Sequence, residues 1–225
     1  MTALLAEQTW VLFIASENER LLHQIIEHRY GSRLSQYRIN DLTPVIGTPP
    51  AGLAPGLSLI RLESDTPIPL AEASLSNGEA SLIIFRGVTQ HLHYTSASQS
   101  QELAARSRPE VAPSPETQAV LIPIGKSRDW WQLPQDRREA HFQTRAAQPR
   151  HTAIGIRYVD RVFRKLYHSR YLSLPAPYDF LTYFEFNSAH QDDFKRLLGE
   201  LGDTAQNPEW AYVALEYEIW LTKIG

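Results

Sequence analysis

His151 and Arg164 stand thirteen positions apart in RHTAIGIRYVDRVFRKLYHSR, the stretch from Arg150 to Arg170. An imidazole can bind a metal or move a proton near neutral pH. A guanidinium stays charged and offers several donors, so it can hold a small oxyanion. Upstream, Lys126 and the pair Trp130-Trp131 add a cation and two indoles. None of these is specific alone. The chain has eight histidines, and a lone one is most often a satisfied surface or half-buried residue. An arginine at a helix end commonly partners a carbonyl or carboxylate.

A continuous helix would separate His151 from Arg164 by about 20 Å of rise and put them on different faces. They serve one pocket only if the helix ends near Arg164 and the chain turns there into a strand. The pattern allows this. Ile154, Ile156, Tyr158, Val159, Val162 and Phe163 give an apolar face at helical spacing, and Leu166 to Leu172 alternates like a strand.

The remaining elements follow from the same rules. Strands are expected at Thr9–Ala15, Tyr37–Ile46, Leu57–Leu62, Ala80–Arg86, Leu121–Ile124, Asp179–Phe186 and Trp210–Leu221. Helices are expected at Glu17–His28, Gln99–Ser107, from Gln135 past Phe142, from about Pro149, and at His190–Leu201. Gly31, Asn77-Gly78 and Pro175-Ala176-Pro177 mark turns or stops. Arg108–Thr117 carries three prolines and reads as a linker. The second half runs strand, helices, strand, strand, helix, strand, which is the ferredoxin-like order. The first half is a blurred version. The expected fold class is α+β: two ferredoxin-like repeats, 1–114 and 115–225, packed sheet to sheet as an α+β barrel. Phe180, Thr182, Phe184 and Phe186 share one face of their strand. Such a stripe is usually core.

Composition narrows the function. At 225 residues and 43% hydrophobic the chain can bury a sizeable core, and a net charge of −3 gives no sign of a nucleic-acid partner. The absence of cysteine excludes disulfides, thiolate ligands and cysteine nucleophiles. MTALLAEQTWVLFIAS lacks a basic start and is a poor signal peptide, and no apolar run reaches membrane-spanning length. The expectation is a cytoplasmic protein with no membrane partner. Phosphate-binding glycine loops, a G-x-S-x-G elbow and a zinc-like grouping around His141 and His151 are all missing.

Four blocks in order give a sharper lead: LIPIGKSRDWW (121–131), the His151-to-Ser169 stretch ending in RKLYHS, YDFLTYFEF (178–186) and EWAYV (209–213). Together they resemble the chlorite dismutase family of haem proteins. PVIG (44–47) and RGV (86–88) extend the likeness more loosely into the first half. The resemblance implies haem b, with His151 as the iron ligand and Glu209 as the carboxylate on its other ring nitrogen. It implies that Arg164 lies across the iron and retains the hypochlorite intermediate as chlorite becomes chloride and dioxygen. Leu166, Thr182 and Phe184 match distal-pocket residues. Lys126, Trp130 and Tyr94 match contacts to the haem edge and its propionates. The family usually has a basic residue where this chain has Gly125. An arginine at 164 resembles the chlorite-degrading branch rather than the coproheme decarboxylases.

The same resemblance leaves open another haem activity, on peroxide, nitrite or nitric oxide, and a haem-binding sensor. Short family members are dimers and long ones pentamers. The short first half resembles the dimeric group, so a homodimer is expected ahead of a homopentamer. Relative to those members, residues 16–35 read as an insertion, in the plainer reading a surface helix and in the other an oligomer contact.

Overall fold

The computed structural model describes residues 8–28, 33–68, 82–89, 97–142, 150–172 and 176–224. Eight strands close into an antiparallel barrel: β1 (Trp10–Ser16), β2 (Arg33–Ile46), β3 (Ser58–Ser64), β4 (Ile83–Val88), β5 (Thr117–Lys126), β6 (Phe163–His168), β7 (Phe180–Asn187) and β8 (Val213–Lys223). Around the barrel they run β1-β3-β2-β8-β5-β7-β6-β4. Each half thus lays its strands in the spatial order fourth, first, third, second. The halves join edge to edge, a closer union than the expected sheet-to-sheet packing. β2 pairs with β8 from Tyr37–Lys223 to Ile46–Glu216, whereas β4 meets β6 at the pair Val88–His168.

Period-two alternation fills the barrel. Phe13, Tyr37, Leu59, Phe85, Leu121, Tyr167, Tyr183, Ile219 and Leu221 point inward and are almost completely buried. The interior is not wholly apolar. Arg61, Glu63, Glu185 and Lys223 are also buried there. Lys223 meets Glu185 at 2.8 Å and Arg61 meets Glu63 at 2.8 Å. The Tyr37 and Tyr183 hydroxyls lie 2.7 Å apart. These mutual partners are what make buried charge tolerable.

Helices cover the outside. On the first half, Leu22 and Ile25 of the helix Glu19–His28 pack against Leu12, Ile14, Ile60 and Leu62. The expected surface helix therefore has one face built into the structure. On the second half, the outward residues Val120, Ile122, Phe184 and Phe186 lie under Ile154, Tyr158, Phe194, Leu197 and Leu201. Phe194 stacks on Phe186 at 4.5 Å and meets Phe184 edge-on at 5.0 Å.

Strand ends shift by a few residues at β2, β4 and β5, and three departures lie near His151, Arg164 and Glu209 in the chain. The central helix spans only His151–Ile156, not the run to Arg164. Gly155 is a weak helix former, and beyond it the chain tightens through Arg157 N–H to Ile154 C=O (3.2 Å) and Tyr158 N–H to Gly155 C=O (3.1 Å). The next strand starts at Phe163 and ends at His168, short of Leu172. The last strand starts at Val213, because Pro208–Tyr212 winds into a 3₁₀ turn with proline at its start. The turn signals at Gly31, Asn77-Gly78 and Pro175 lie outside the described residues. Among the described residues no helix is long and apolar enough to cross a membrane.

Candidate functional site

The short helix decides where His151 sits. Residue 151 is its first residue, so the ring stands at the end of the helix beside the 3₁₀ turn that carries Glu209. His151 Nδ1 lies 2.5 Å from Glu209 Oε1. Glu209 is 2% exposed. Burial alone would raise its pKa. His151 and Lys126 outweigh that and hold the carboxyl at about 2. The carboxylate is therefore ionised near neutral pH, and Nδ1–H must be the donor. A neutral His151 then carries its lone pair on Nε2, the nitrogen free to bind a metal. Phe142 at 5.4 Å and Trp210 at 6.1 Å hold the ring in place.

Lys126 completes this group. Its Nζ donates to Glu209 Oε2 at 3.2 Å and to the Glu209 carbonyl at 3.1 Å. It also rides over the rings of Trp130 (5.0 Å) and Trp210 (5.1 Å). The ammonium thus points at the histidine's partner. Trp130 is 2% exposed and packs among His141, Phe142 and Tyr212. The structure places Trp130 behind Lys126, as part of the wall that keeps this charge cluster dry.

Arg164 is positioned by β6. Its register opposite Phe184 puts its side chain on the helix-covered outer face, and Leu166 opposite Thr182 shares that face. Arg164 is solvent-accessible, with protein packed around it on the sheet face. The crowding lowers its pKa, partly offset by the charge of Glu209. A guanidinium remains charged even so. No hydrogen bond or ion pair holds it among the described residues, so its donors stand unclaimed. Thr182 and Phe184 are 4% and 2% exposed, and Phe184 leans on Phe194. They form floor rather than rim. The structure therefore brings together His151, Glu209 and Lys126, with Arg164 within reach of the Glu209 charge and Leu166, Thr182 and Phe184 on the same sheet face. Tyr94 lies outside the described residues.

Sequence reasoning missed three contributors. Asp179 accepts from the Lys126 backbone N–H (2.7 Å), the Trp131 indole (3.2 Å) and Arg170 (2.9 Å). It pins the end of β5 and clamps Trp131, which stacks on Phe180 at 6.1 Å beneath Arg170 at 3.9 Å. Asp179 stood inside a recognised block, but only its strand pattern was read. Arg138 lies 5.6 Å over Trp131, four residues before Phe142 on the same face of the helix Gln135–Phe142. Arg150 immediately precedes His151. The Nε atoms of Arg138 and Arg150 are buried without a partner. Nothing in local sequence signals an orphaned guanidinium nitrogen.

Gly125 also has a steric role. A Cβ there would lie 2.9 Å from the Pro177 carbonyl and 3.1 Å from Leu215 Cβ. The position where relatives were expected to carry a basic side chain is closed in this chain.

Comparison with known proteins places the chain in a family. A family model described as chlorite dismutase matches residues 70–215. A curated chlorite dismutase from Ideonella dechloratans is 33% identical over 122 residues, covering 54% of this chain. The match spans 39% of that relative's length. The crystal structure of dimeric chlorite dismutase from Nitrobacter winogradskyi superposes with a TM-score of 0.64 at 28% identity, covering 84% of this chain and 99% of the other. Chlorite dismutase from Candidatus Nitrospira defluvii in complex with imidazole shares the fold, with a TM-score of 0.68 at 21% identity over 96% of this chain and 91% of the other.

Proposed function

The chain belongs to the chlorite dismutase family, and from that premise we propose that it is a haem b enzyme converting chlorite to chloride and dioxygen. The observation that carries the proposal is the His151–Glu209 contact of 2.5 Å, which commits one ring nitrogen and leaves the other for iron. The surroundings fit haem. Among the described residues no three His, Cys, Asp or Glu side chains converge on a metal site, so an iron at His151 would draw its other ligands from a cofactor. The orphaned Nε atoms of Arg138 and Arg150 suit the carboxylates of a haem edge. We assign the propionates to these arginines, because Lys126 already serves Glu209.

When bound, the haem supplies the redox chemistry of oxygen transfer. The protein's own residues do the rest. Glu209 keeps Nδ1 hydrogen-bonded and so makes His151 a strongly donating ligand. Lys126 and the surrounding indoles hold Glu209 ionised and fixed. Arg164 supplies unclaimed donors that orient the chlorite anion and retain hypochlorite until the oxygen–oxygen bond has formed. Leu166, Thr182 and Phe184 exclude water from that side.

The strand order in each half supports two ferredoxin-like repeats, 1–114 and 115–225, with the haem on the outer face of the second. The dimeric Nitrobacter protein supports a homodimer here.

Oxygen evolution from chlorite by the haem-loaded protein, followed with an electrode, tests the activity. Rapid release is expected. A fully loaded protein that evolves no oxygen would refute it. His151→Ala is expected to abolish the Soret band of bound haem. Arg164→Ala is expected to keep the band, slow turnover and bleach haem faster. Unchanged turnover and haem survival would remove Arg164 from its assigned part.

A further inference from the structure

The inward faces of β2, β3 and β6 meet at one end of the barrel. Ser35 stands opposite Arg61, and Arg33 opposite Glu63. With Lys165 of β6 and Glu110 of the 107–116 connection they line an open cavity of about 180 Å³. It lies on the reverse side of β6 from Arg164 and shares no residue with the proposed haem site.

The lining has more donors than acceptors. Glu63 is spoken for: its Oε1 takes Arg61 at 2.8 Å, Lys165 at 3.0 Å and the Tyr167 hydroxyl, and its Oε2 faces Arg33 at 3.8 Å. The cations keep donors in reserve, although Arg61 also meets the Tyr167 hydroxyl at 3.2 Å, the Glu185 carboxylate at 3.9 Å and the face of the Tyr183 ring at 4.4 Å. An ammonium has three donors and a guanidinium five, and Lys165 uses one on Glu63. Arg33 reaches outward to Asp65 at 3.3 Å and is 60% exposed. Arg61, 2% exposed, keeps an unpartnered buried Nε. The other acceptor is Glu110, which touches Arg61 at 2.7 Å and is itself 39% exposed. It hangs from a proline-rich connection rather than from the sheet. Burying an arginine among ion pairs is seldom a gain in stability over apolar packing. A binding role accounts for it better.

We propose that the barrel mouth is a second binding site, for a small carboxylate or oxyanion held by Arg61, Lys165 and Arg33, with the Glu110 carboxylate as a tethered competitor that such an anion displaces. Calorimetric titration of the haem-loaded protein with sodium acetate, and separately with sodium nitrate, at constant ionic strength tests this. Saturable binding is expected, weakened at least tenfold by Lys165→Gln and tightened severalfold by Glu110→Gln, with the Soret band unmoved. Glu110 is exposed enough that its variant decides the matter even if Lys165→Gln does not fold. Equal affinity in parent and Glu110→Gln would overturn the proposal, as would binding that shifts the Soret band in step. Repeating the titration without haem separates this outcome from any failure of the haem assignment.

Discussion

At the scale of single residues the site is an electrostatic chain, Lys126 to Glu209 to His151. Its cost and benefit are read in pH. The folded pKa of Glu209, about 2, lies below the ordinary carboxylate value of 4.5. A depressed folded pKa stabilises the fold above the unfolded value, and that stability is lost as pH falls through the folded one. Glu209 is thus expected to contribute stability that declines between about pH 4.5 and 2 as its carboxyl protonates. Denaturant melts across this window should show the decline, and Glu209→Gln should flatten it. In the haem-loaded protein the same variant should lower the iron–histidine stretching frequency, because a neutral amide polarises the imidazole less. Arg138 offers a sharper comparison. Arg138→Ala should weaken binding of haem at least tenfold but leave binding of propionate-esterified haem nearly unchanged. Equal losses for both would reduce Arg138 to a packing role.

Elements carry these residues, and most were legible to within a few residues: the helices Glu19–His28 and Gln191–Gly202 lie where expected, whereas the helix after Arg150 does not. β7 could be read because alternation allows one solution: Phe184 and Phe186 outward, Tyr183 and Glu185 inward. The helix after Arg150 could not, because Ile154, Tyr158 and Val162 satisfy helical spacing equally well as successive tight turns over the same apolar surface. His151 and Arg164 were singled out through their family pattern, and in the structure both feel the Glu209 carboxylate. The direction of Lys126 was not, since its partner lies 83 positions away and only the 3₁₀ turn at Pro208 brings it close. The helix Gln191–Gly202 secures the floor through Phe194, which is fully buried against Phe184 and Phe186. Phe194→Ala is expected to cost about 3–5 kcal/mol in denaturant unfolding, with the loss traced to a cavity rather than to chemistry. Gly125→Ala, which forces a methyl group toward the Pro177 carbonyl, should cost about 1–3 kcal/mol and lower the melting temperature without touching a charged group.

For the whole molecule, closure of the barrel puts the proposed haem site and the proposed anion site on either side of one sheet. Consecutive residues of β6 turn to opposite faces: Arg164 to the helix-covered outer face, and Lys165 to the charged mouth. The sheet also has two unlike joints between its halves, a long one where β2 meets β8 and a brief one where β4 meets β6. The long joint is reinforced across the boundary by the Tyr37–Tyr183 hydroxyls and by Lys223, whose ammonium reaches the Val111 carbonyl at 3.0 Å. The molecule is in effect a garment sewn down one side and only fastened on the other. Cut in the 107–116 connection and made as two polypeptides, it should reassemble along the β2–β8 seam and recover haem binding without a covalent link.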